Sequence, residues 1–313
     1  MSMSAWRRAG VSLTAVAVIS AAAAGCQGGN GTEKAAGAPG KDRTTQSRDA
    51  VTQVLTAAYK KTSAAKSAKV RMTMTAPATM DDGGTMELSG VMGWDPTVMD
   101  MTMKGSMLKA DPGMPAQVRM VWQNDVMYMD MGTKMAQDMD GKRWMKLDLG
   151  AMAAGSGDKA LQKQMTGGLQ NMNQDPAQQL AMLLDSPNVK HVGAEKIDGV
   201  EAQHYKGTLT VAEMVASNES LKVLGEKERK DLLAGVEKAG IKGYETEVWV
   251  NEDEYPVRMN VGMDTPEGKV TIVTHYTDYG SEAAVQAPPA KDTFDLMGML
   301  KELGEGLESS GRS

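Results

Sequence analysis

Clusters of methionine are the residues in this chain whose type and spacing could most directly do chemistry. They recur at every second position in two short runs, Met99, Met101 and Met103 in PTVMDMTMKGSML (96–108) and Met127, Met129 and Met131 in VMYMDM (126–131). The chain holds 28 Met but only one Phe. Thioethers select soft Cu(I), and alternate residues of a strand share one face at a spacing of about 7 Å. A copper site and an apolar surface are therefore both open interpretations.

The apolar interpretation fits the distribution of the methionines better. Soft metal sites commonly add Cys or His, but the single Cys lies near the N-terminus, and His191, His204 and His275 fall in other predicted strands. A metal needs three or four ligands at one place, whereas Met recurs in nearly every predicted strand. Flexible, polarizable Met specifies close packing poorly and suits adaptable apolar binding. We therefore expect a cavity for acyl chains, with ordinary core filling as the default for single positions.

The N-terminus predicts where the protein works. A basic segment, Trp6-Arg7-Arg8, precedes an apolar run at 11–24 that is too short for a permanent transmembrane helix and typical of a signal peptide. The run closes on Ala23-Ala24-Gly25-Cys26, which resembles a bacterial lipobox with Ala23 in place of the usual Leu. We predict a signal peptide at 1–25 and a lipidated Cys26, since a secreted protein seldom keeps one unpaired thiol. Acyl chains on Cys26 would anchor the protein on the extracytoplasmic side of the cell membrane.

Charge and composition exclude several classes of partner. The chain carries 34 basic and 40 acidic side chains, and cleavage before Cys26 removes Arg7 and Arg8, leaving a net charge of about −8. This balance argues against nucleic acid and against charge-driven membrane adhesion. Residues 26–47, with the acylated Cys26 at their start, are polar and Gly-rich, and we predict a disordered tether.

Hydrophobic periodicity predicts helices flanking a long series of strands. A helix is expected from Ser47 to Ser63 with Ser47 as its cap, and a second one from Asp175-Pro176. Period-two alternation predicts about six strands between 69 and 149, in an antiparallel meander with one apolar face and with turns that include 81–84 and 124–125. After a loop at 150–174, strands return near 189–211 with a turn at Asp198-Gly199. A charged helical segment then covers 212–239, and three strands complete the sheet at 244–276. The tail, 291–313, is predicted as a weak helix.

Three C-terminal stretches carry the most specific pattern: DPAQQLAMLLDSPNVKHVGAEKIDGVEAQHYKGTLTV (175–211), YETEVWVNEDEYPVRMNV (244–261) and VTHYTDYGSEAAVQAPP (273–289). With the order of lipobox, tether, helix, meander, Asp-Pro helix and final strands, residues 48–290 resemble the LppX/LprA/LprF/LprG lipoprotein family and, more distantly, LolA- and LolB-type lipoprotein carriers. The resemblance implies an α+β fold in which helices cross the concave face of a strongly curved antiparallel sheet, a half-barrel. It also implies a cavity that holds lipid or glycolipid acyl chains.

The expected lining of that cavity follows from the inward-facing positions of the predicted strands and of the second helix. These residues are Met72, Met74, Met99, Met101, Met103, Met120, Trp122, Met127, Met129, Met131, Leu180, Leu183, Leu184, Val248, Val250, Val257, Met259 and Val261. The ligand would be a lipid or glycolipid, and no cofactor or metal is expected. The sequence names no donor, acceptor or transporter.

No enzyme motif is evident in the sequence. His191 and Glu195 have the spacing of an acid/base pair, but they fall on a predicted strand and turn and should not share a face. Asn251-Glu252-Asp253-Glu254 could suggest calcium, yet it lacks EF-hand spacing and occupies a predicted hairpin turn. Two alternatives to a lipid-binding protein stay open: an accessory or sensor lipoprotein with a collapsed core, and an envelope Cu(I)-binding protein.

Overall fold

The computed structural model describes residues 46–80, 83–110, 114–151, 176–213, 240–241 and 243–299. All of these fall within one compact unit. The predicted signal peptide, Cys26 and nearly all of the tether lie outside the described residues. So do the Asp81-Asp82 turn and most of the predicted loop at 150–174, of the helical segment at 212–239 and of the tail.

The described α-helices include α1 (Arg48–Ala65), the short α2 (Gly132–Ala136) and α3 (Pro176–Asp185). The predicted cap of α1 is confirmed, since the Ser47 hydroxyl accepts a hydrogen bond of 3.3 Å from the backbone N–H of Ala50. The helix ends at Lys66, whose left-handed φ of 64° terminates the helical hydrogen bonding.

Twelve strands in the described residues form one sheet. They are β1 (Ser67–Ala76), β2 (Gly84–Trp94), β3 (Thr97–Gly105), β4 (Gln117–Gln123), β5 (Val126–Asp130), β6 (Trp144–Asp148), β7 (Lys190–Ile197), β8 (Val200–Thr210), β9 (Gly243–Asn251), β10 (Pro256–Thr265), β11 (Gly268–Thr277) and β12 (Thr293–Asp295).

The strand order joins two antiparallel meanders. It runs β12-β6-β5-β4-β3-β2-β1-β11-β10-β9-β8-β7, so the first strand of one meander pairs with the last strand of the other. Four hairpin connections between the described strands contain two residues each, and two of them are the predicted turns at Asn124-Asp125 and Asp198-Gly199. Asn124 and Asp125 have φ of 52° and 60°, and Asp198 and Gly199 have φ of 49° and 91°. These positive values suit the right-handed twist of hairpin strands.

The main core lies between one face of this sheet and the pair α1 and α3. Its buried side chains extend from Tyr205 on β8 to Trp122 on β4. Those eight neighbouring strands would span about 34 Å if flat, whereas two helices cover roughly 20 Å, so the sheet curves around them. Close approach of α3 to β8 depends on Gly207, where a Cβ would lie 2.8 Å from Leu183 Cδ1. The predicted α+β fold with helices across a curved antiparallel sheet is confirmed.

Two elements were not predicted from the sequence. β12 pairs with β6 in parallel, beyond the predicted end of the domain at 290, and within the predicted tail. The strand through VMYMDM ends at Asp130 rather than at Met131, because Gly132 with a φ of 72° starts α2. Met131 is nonetheless buried, and its N–H donates to the carbonyl of Arg143 at 3.0 Å.

Candidate functional site: a methionine face on the sheet

Strand register places the methionines in two adjacent rows on one face of the sheet. Directly opposed residues of antiparallel strands share a face, with Cβ atoms about 5 Å apart. The first row crosses β3 to β6 through Met101, Met120, Met129 and Met145. The second crosses β2 to β6 through Met92, Met99, Trp122, Met127 and Leu147. We call these nine residues the methionine face.

Burial changes along this face. At the β2–β4 side, Met92, Met99, Met101 and Trp122 are at most 6% exposed. Toward β6 five side chains are only half-buried, namely Met120, Met127, Met129, Met145 and Leu147. The face is thus continuous with the packed core at one end and incompletely covered at the other.

The helices cover the central part of the predicted lining. Eight of the predicted residues are buried in the main core with Val51 and Leu55 of α1: Met99, Met101, Trp122, Leu180, Leu183, Val248, Val250 and Met259. Four more are partly buried and pack against that core: Met72, Met120, Met127 and Leu184. The structure therefore brings twelve of the eighteen predicted residues into contact with one core.

The other predicted residues lie further out or elsewhere. Met129 belongs to the first row, and Met103 lies on the same face opposite Val118. Met74 and Val261 both oppose Ile272 near the far strand ends. Met131 follows the end of β5. Val257 packs instead with Ile197, Ala202 and Trp249 in a second, smaller core. A bulge between Pro256 and Arg258 explains this placement, because one extra residue breaks the alternation of faces.

The opposite face of β3 to β6 carries ion pairs beside apolar side chains, among them the buried Val121. The Arg119 guanidinium donates to both carboxylate oxygens of Asp100, at 2.9 and 2.6 Å, and Arg143 pairs with Asp130. Hydrogen bonding to Asp100 raises the pKa of Arg119 above its ordinary value. These acidic residues alternate with Met101 and Met129, so the sheet presents charge on one side and thioethers on the other.

His191 and Glu195, which have the spacing of an acid/base pair, lie on opposite faces of the sheet. His191 Nε2 lies 2.7 Å from Gln203 Oε1, whereas Glu195 accepts from the Trp249 indole at 2.9 Å and contacts His204 Nδ1 at 3.0 Å. The Trp249 hydrogen bond is the main reason that the pKa of Glu195 is lowered. A bulge at His191 and Gly193 causes this separation, because one extra residue breaks the alternation of faces. Within the described ranges, no group of three His, Cys, Asp or Glu side chains is placed to hold a metal.

No helix in the part of the chain that the structure describes is long and apolar enough to cross a membrane. Cys26, the predicted lipidation site, lies outside that part.

Comparison with known proteins gives relatives but no matching family model. An uncharacterised 31.2 kDa protein of Streptomyces griseus is 32% identical over 255 residues, which cover 78% of each chain. A putative lipoprotein of Streptomyces coelicolor is 25% identical over 183 residues, 58% of this chain and 52% of that one.

Solved structures with similarity include two mycobacterial lipoproteins. LppX of Mycobacterium tuberculosis has 14% identity and a TM-score of 0.44, over 77% of this chain and 100% of its own. LprF of Mycobacterium bovis has 15% identity and a TM-score of 0.40, over 77% and 98%.

Proposed function

Because the chain belongs to the same family as the 31.2 kDa Streptomyces griseus protein, and a second relative is described as a putative lipoprotein, we propose that it is an extracytoplasmic lipoprotein. Its anchor is the acylated Cys26, and its methionine face binds acyl chains of a lipid or glycolipid. The proposed function is lipid binding, which extends to transfer of the bound lipid between membranes.

The incomplete cover of the methionine face is the observation that carries this proposal. From Met101 to Met145 the first row spans three strand spacings, about 14 Å, and the side chains at its β6 end are half-buried. Contiguous apolar surface that the fold leaves partly uncovered is typical of a binding site. Thioether side chains can adjust to chains of different shape.

A collapsed core is the rival with a specific observation in its favour. Met101 and Met259 are each 1% exposed and pack against the helices, as core residues do. In that case the protein would be an accessory or sensor lipoprotein without a ligand. The two hypotheses differ at the β4–β6 end, where acyl binding requires the half-buried methionines to contact ligand.

Envelope Cu(I) binding is the third candidate. The first row places Met101, Met120 and Met129 side by side on neighbouring strands, which is closer together than their sequence positions suggested. A thioether-only site needs three of these sulfur atoms to converge on one ion. Replacement of the half-buried methionines by leucine separates this hypothesis from acyl binding, since leucine keeps the apolar surface and removes the ligands.

A chain-length series tests the proposal. The purified protein, freed of bound lipid by detergent exchange, is titrated with fluorescent fatty acids of increasing length. Each methylene that enters the apolar site contributes about 0.8 kcal/mol to binding. The affinity should therefore rise about fourfold per CH₂ until the acyl chain is longer than the methionine face. Affinity that does not change with chain length would contradict the proposal.

A further inference from the structure

A pocket outside the methionine face is not used by the proposed acyl site. Its volume is about 330 Å³, and it lies where the β7–β8 turn, the β9–β10 turn and the end of β11 meet. None of the nine residues of the methionine face lines it. The volume falls at the small end of the range for ligand pockets, roughly 300 to 1,000 Å³.

Aromatic rings form one wall of this pocket. Tyr255 and Tyr279 stack with centroids 4.4 Å apart, and Tyr276 lies 6.1 Å from Tyr279. The hydroxyl of Tyr279 donates to the carbonyl of Pro256 at 2.9 Å, which fixes the ring. Ile197 and Val257 add apolar surface, so the wall is rigid and largely hydrophobic.

Carboxylates form the polar part of the lining. Asp198 accepts from His275 Nδ1 at 2.7 Å and from Arg71 at 3.3 Å, and Asp278 pairs with Lys69 at 2.7 Å. The two cationic partners do not line the pocket, and all four side chains of these ion pairs are more than half exposed. Exposed pairs of this kind contribute little free energy, so they constrain the carboxylates weakly.

The acidic turn between β9 and β10 adds negative charge beside the pocket. Asn251 and Tyr255 line the pocket, and the three residues between them, Glu252, Asp253 and Glu254, are exposed. Two carboxylates line the pocket and three more lie on this turn, and the nearby basic groups are Lys61, Lys69, Arg71 and the pocket-lining His275. The local charge is therefore negative, like that of the whole chain. Lys61 already places its ammonium 5.7 Å from the centroid of the Tyr255 ring.

We propose that this pocket binds an organic ammonium group. The aromatic and aliphatic wall suits the carbon substituents of such a group, and a nearby carboxylate adds a charge partner. An anionic ligand would face Asp198 and Asp278. The shared chemistry is a weakly hydrated ammonium, supplied either by a free small molecule or by a lipid head group.

Choline and its neutral isostere, 3,3-dimethylbutan-1-ol, provide a matched pair of probes because they differ mainly in the charge. Binding is measured by isothermal titration calorimetry and by ligand-observed NMR on the purified chain. We expect choline to bind at least about tenfold more tightly than the alcohol. In Asp198→Asn, the choline affinity should fall by a similar factor.

Asp140→Asn is the control variant, because Asp140 also has a positive φ, 55° against 49° for Asp198, and does not line the pocket. Asn tolerates this conformation, so both variants should fold, which circular dichroism checks. A second arm uses the Cys26→Ala chain with vesicles of phosphatidylcholine or phosphatidylglycerol. Retention on phosphatidylcholine alone that Asp198→Asn abolishes identifies a head group as the source.

Two results would overturn the proposal. One is equal affinity for choline and for the alcohol, which would mean that the pocket recognises the shape of the ligand and not its charge. The other is the absence of binding to both choline and phosphatidylcholine vesicles. Neither result bears on the methionine face, whose acyl affinity is measured separately.

Discussion

Glutamate substitutions at Met101 and Met129 should have opposite consequences, although both residues lie in the first row of the methionine face. Met101 is 1% exposed and packs within the main core. Met129 is half-buried on β5, two strands from the edge strand β12. The sequence alone treats the two positions as equivalent, whereas the structure separates a core residue from a surface that is open to a ligand.

The expected magnitudes follow from this difference. Loss of a buried methionine side chain costs about 2 to 5 kcal/mol, and a carboxylate held in the core costs several kcal/mol more. Against a total stability of about 5 to 15 kcal/mol, Met101→Glu should unfold most of the protein. At Met129 a carboxylate can reach water, and the cost to folding should stay near 1 kcal/mol. The same carboxylate would hydrate the part of the methionine face that is proposed to bind acyl chains. Four methylenes left in water weaken acyl binding by roughly 3 kcal/mol, about a hundredfold.

Urea denaturation followed by tryptophan fluorescence measures the first effect, and titration with a fluorescent long-chain fatty acid measures the second. Thr102→Glu is the matched control, because Thr102 follows Met101 on β3, faces the polar side and opposes Arg119. It should keep both stability and acyl affinity. Met129→Leu should also keep both, since Leu and Met have similar volume.

A folded Met129→Glu protein with unchanged acyl affinity would refute the reasoning, because the half-buried methionines would then make no contact with ligand. Equal destabilisation by both glutamates would show that the β5 end is as closely packed as the core. That outcome would favour the collapsed-core hypothesis.

Three further predictions concern the anchor, the metal and pH. Cys26→Ala should move the protein from the membrane to the soluble fraction without loss of fold, and sedimentation with membranes after a high-salt wash would reveal another anchor. The second variant replaces four half-buried methionines by leucine: Met120, Met127, Met129 and Met145. Its acyl affinity should stay near that of the wild type, and its Cu(I) affinity, measured by competition with a chromophoric Cu(I) chelator, should be unchanged. Hydrogen bonding to Lys206 is the main reason that the pKa of Glu245 is lowered from 4.5, so its stabilising contribution is present above that pH and lost as the pH falls through the lowered pKa. The difference in Tm between wild type and Glu245→Gln should therefore narrow as the pH is lowered below 4.5, and a constant gap in the acid range would contradict the assignment.

Local signals were sufficient for the elements and for the faces of most strands. Ser47 before an apolar helical stripe predicted the start of α1, and alternation around Met101 and Met129 placed Asp100 and Asp130 on the other face. Such patterns depend on the backbone period alone, which neighbouring residues reveal. They also predicted the tight turns, because Asn, Asp and Gly tolerate positive φ.

Features that depend on distant parts of the chain were not predicted. The unequal burial of Met101 and Met129 is set by where α1 and α3 lie, which no strand sequence records. The extra residue of the bulge turned Val257 to the opposite face, although its type and position matched the lining pattern. β12 pairs with β6 across about 150 residues, and three residues carry too short a pattern to indicate a strand.

Mass spectrometry of the protein purified gently from its native membrane tests the central claim most directly. Under non-denaturing conditions, the wild type should carry additional mass that dissociates as an acyl lipid, apart from the acyl groups bonded to Cys26. Met129→Glu should be folded and lack that mass, and Thr102→Glu should retain it. Wild-type protein that carries no lipid under these conditions, and that takes up none when incubated with membrane extract, would contradict the account.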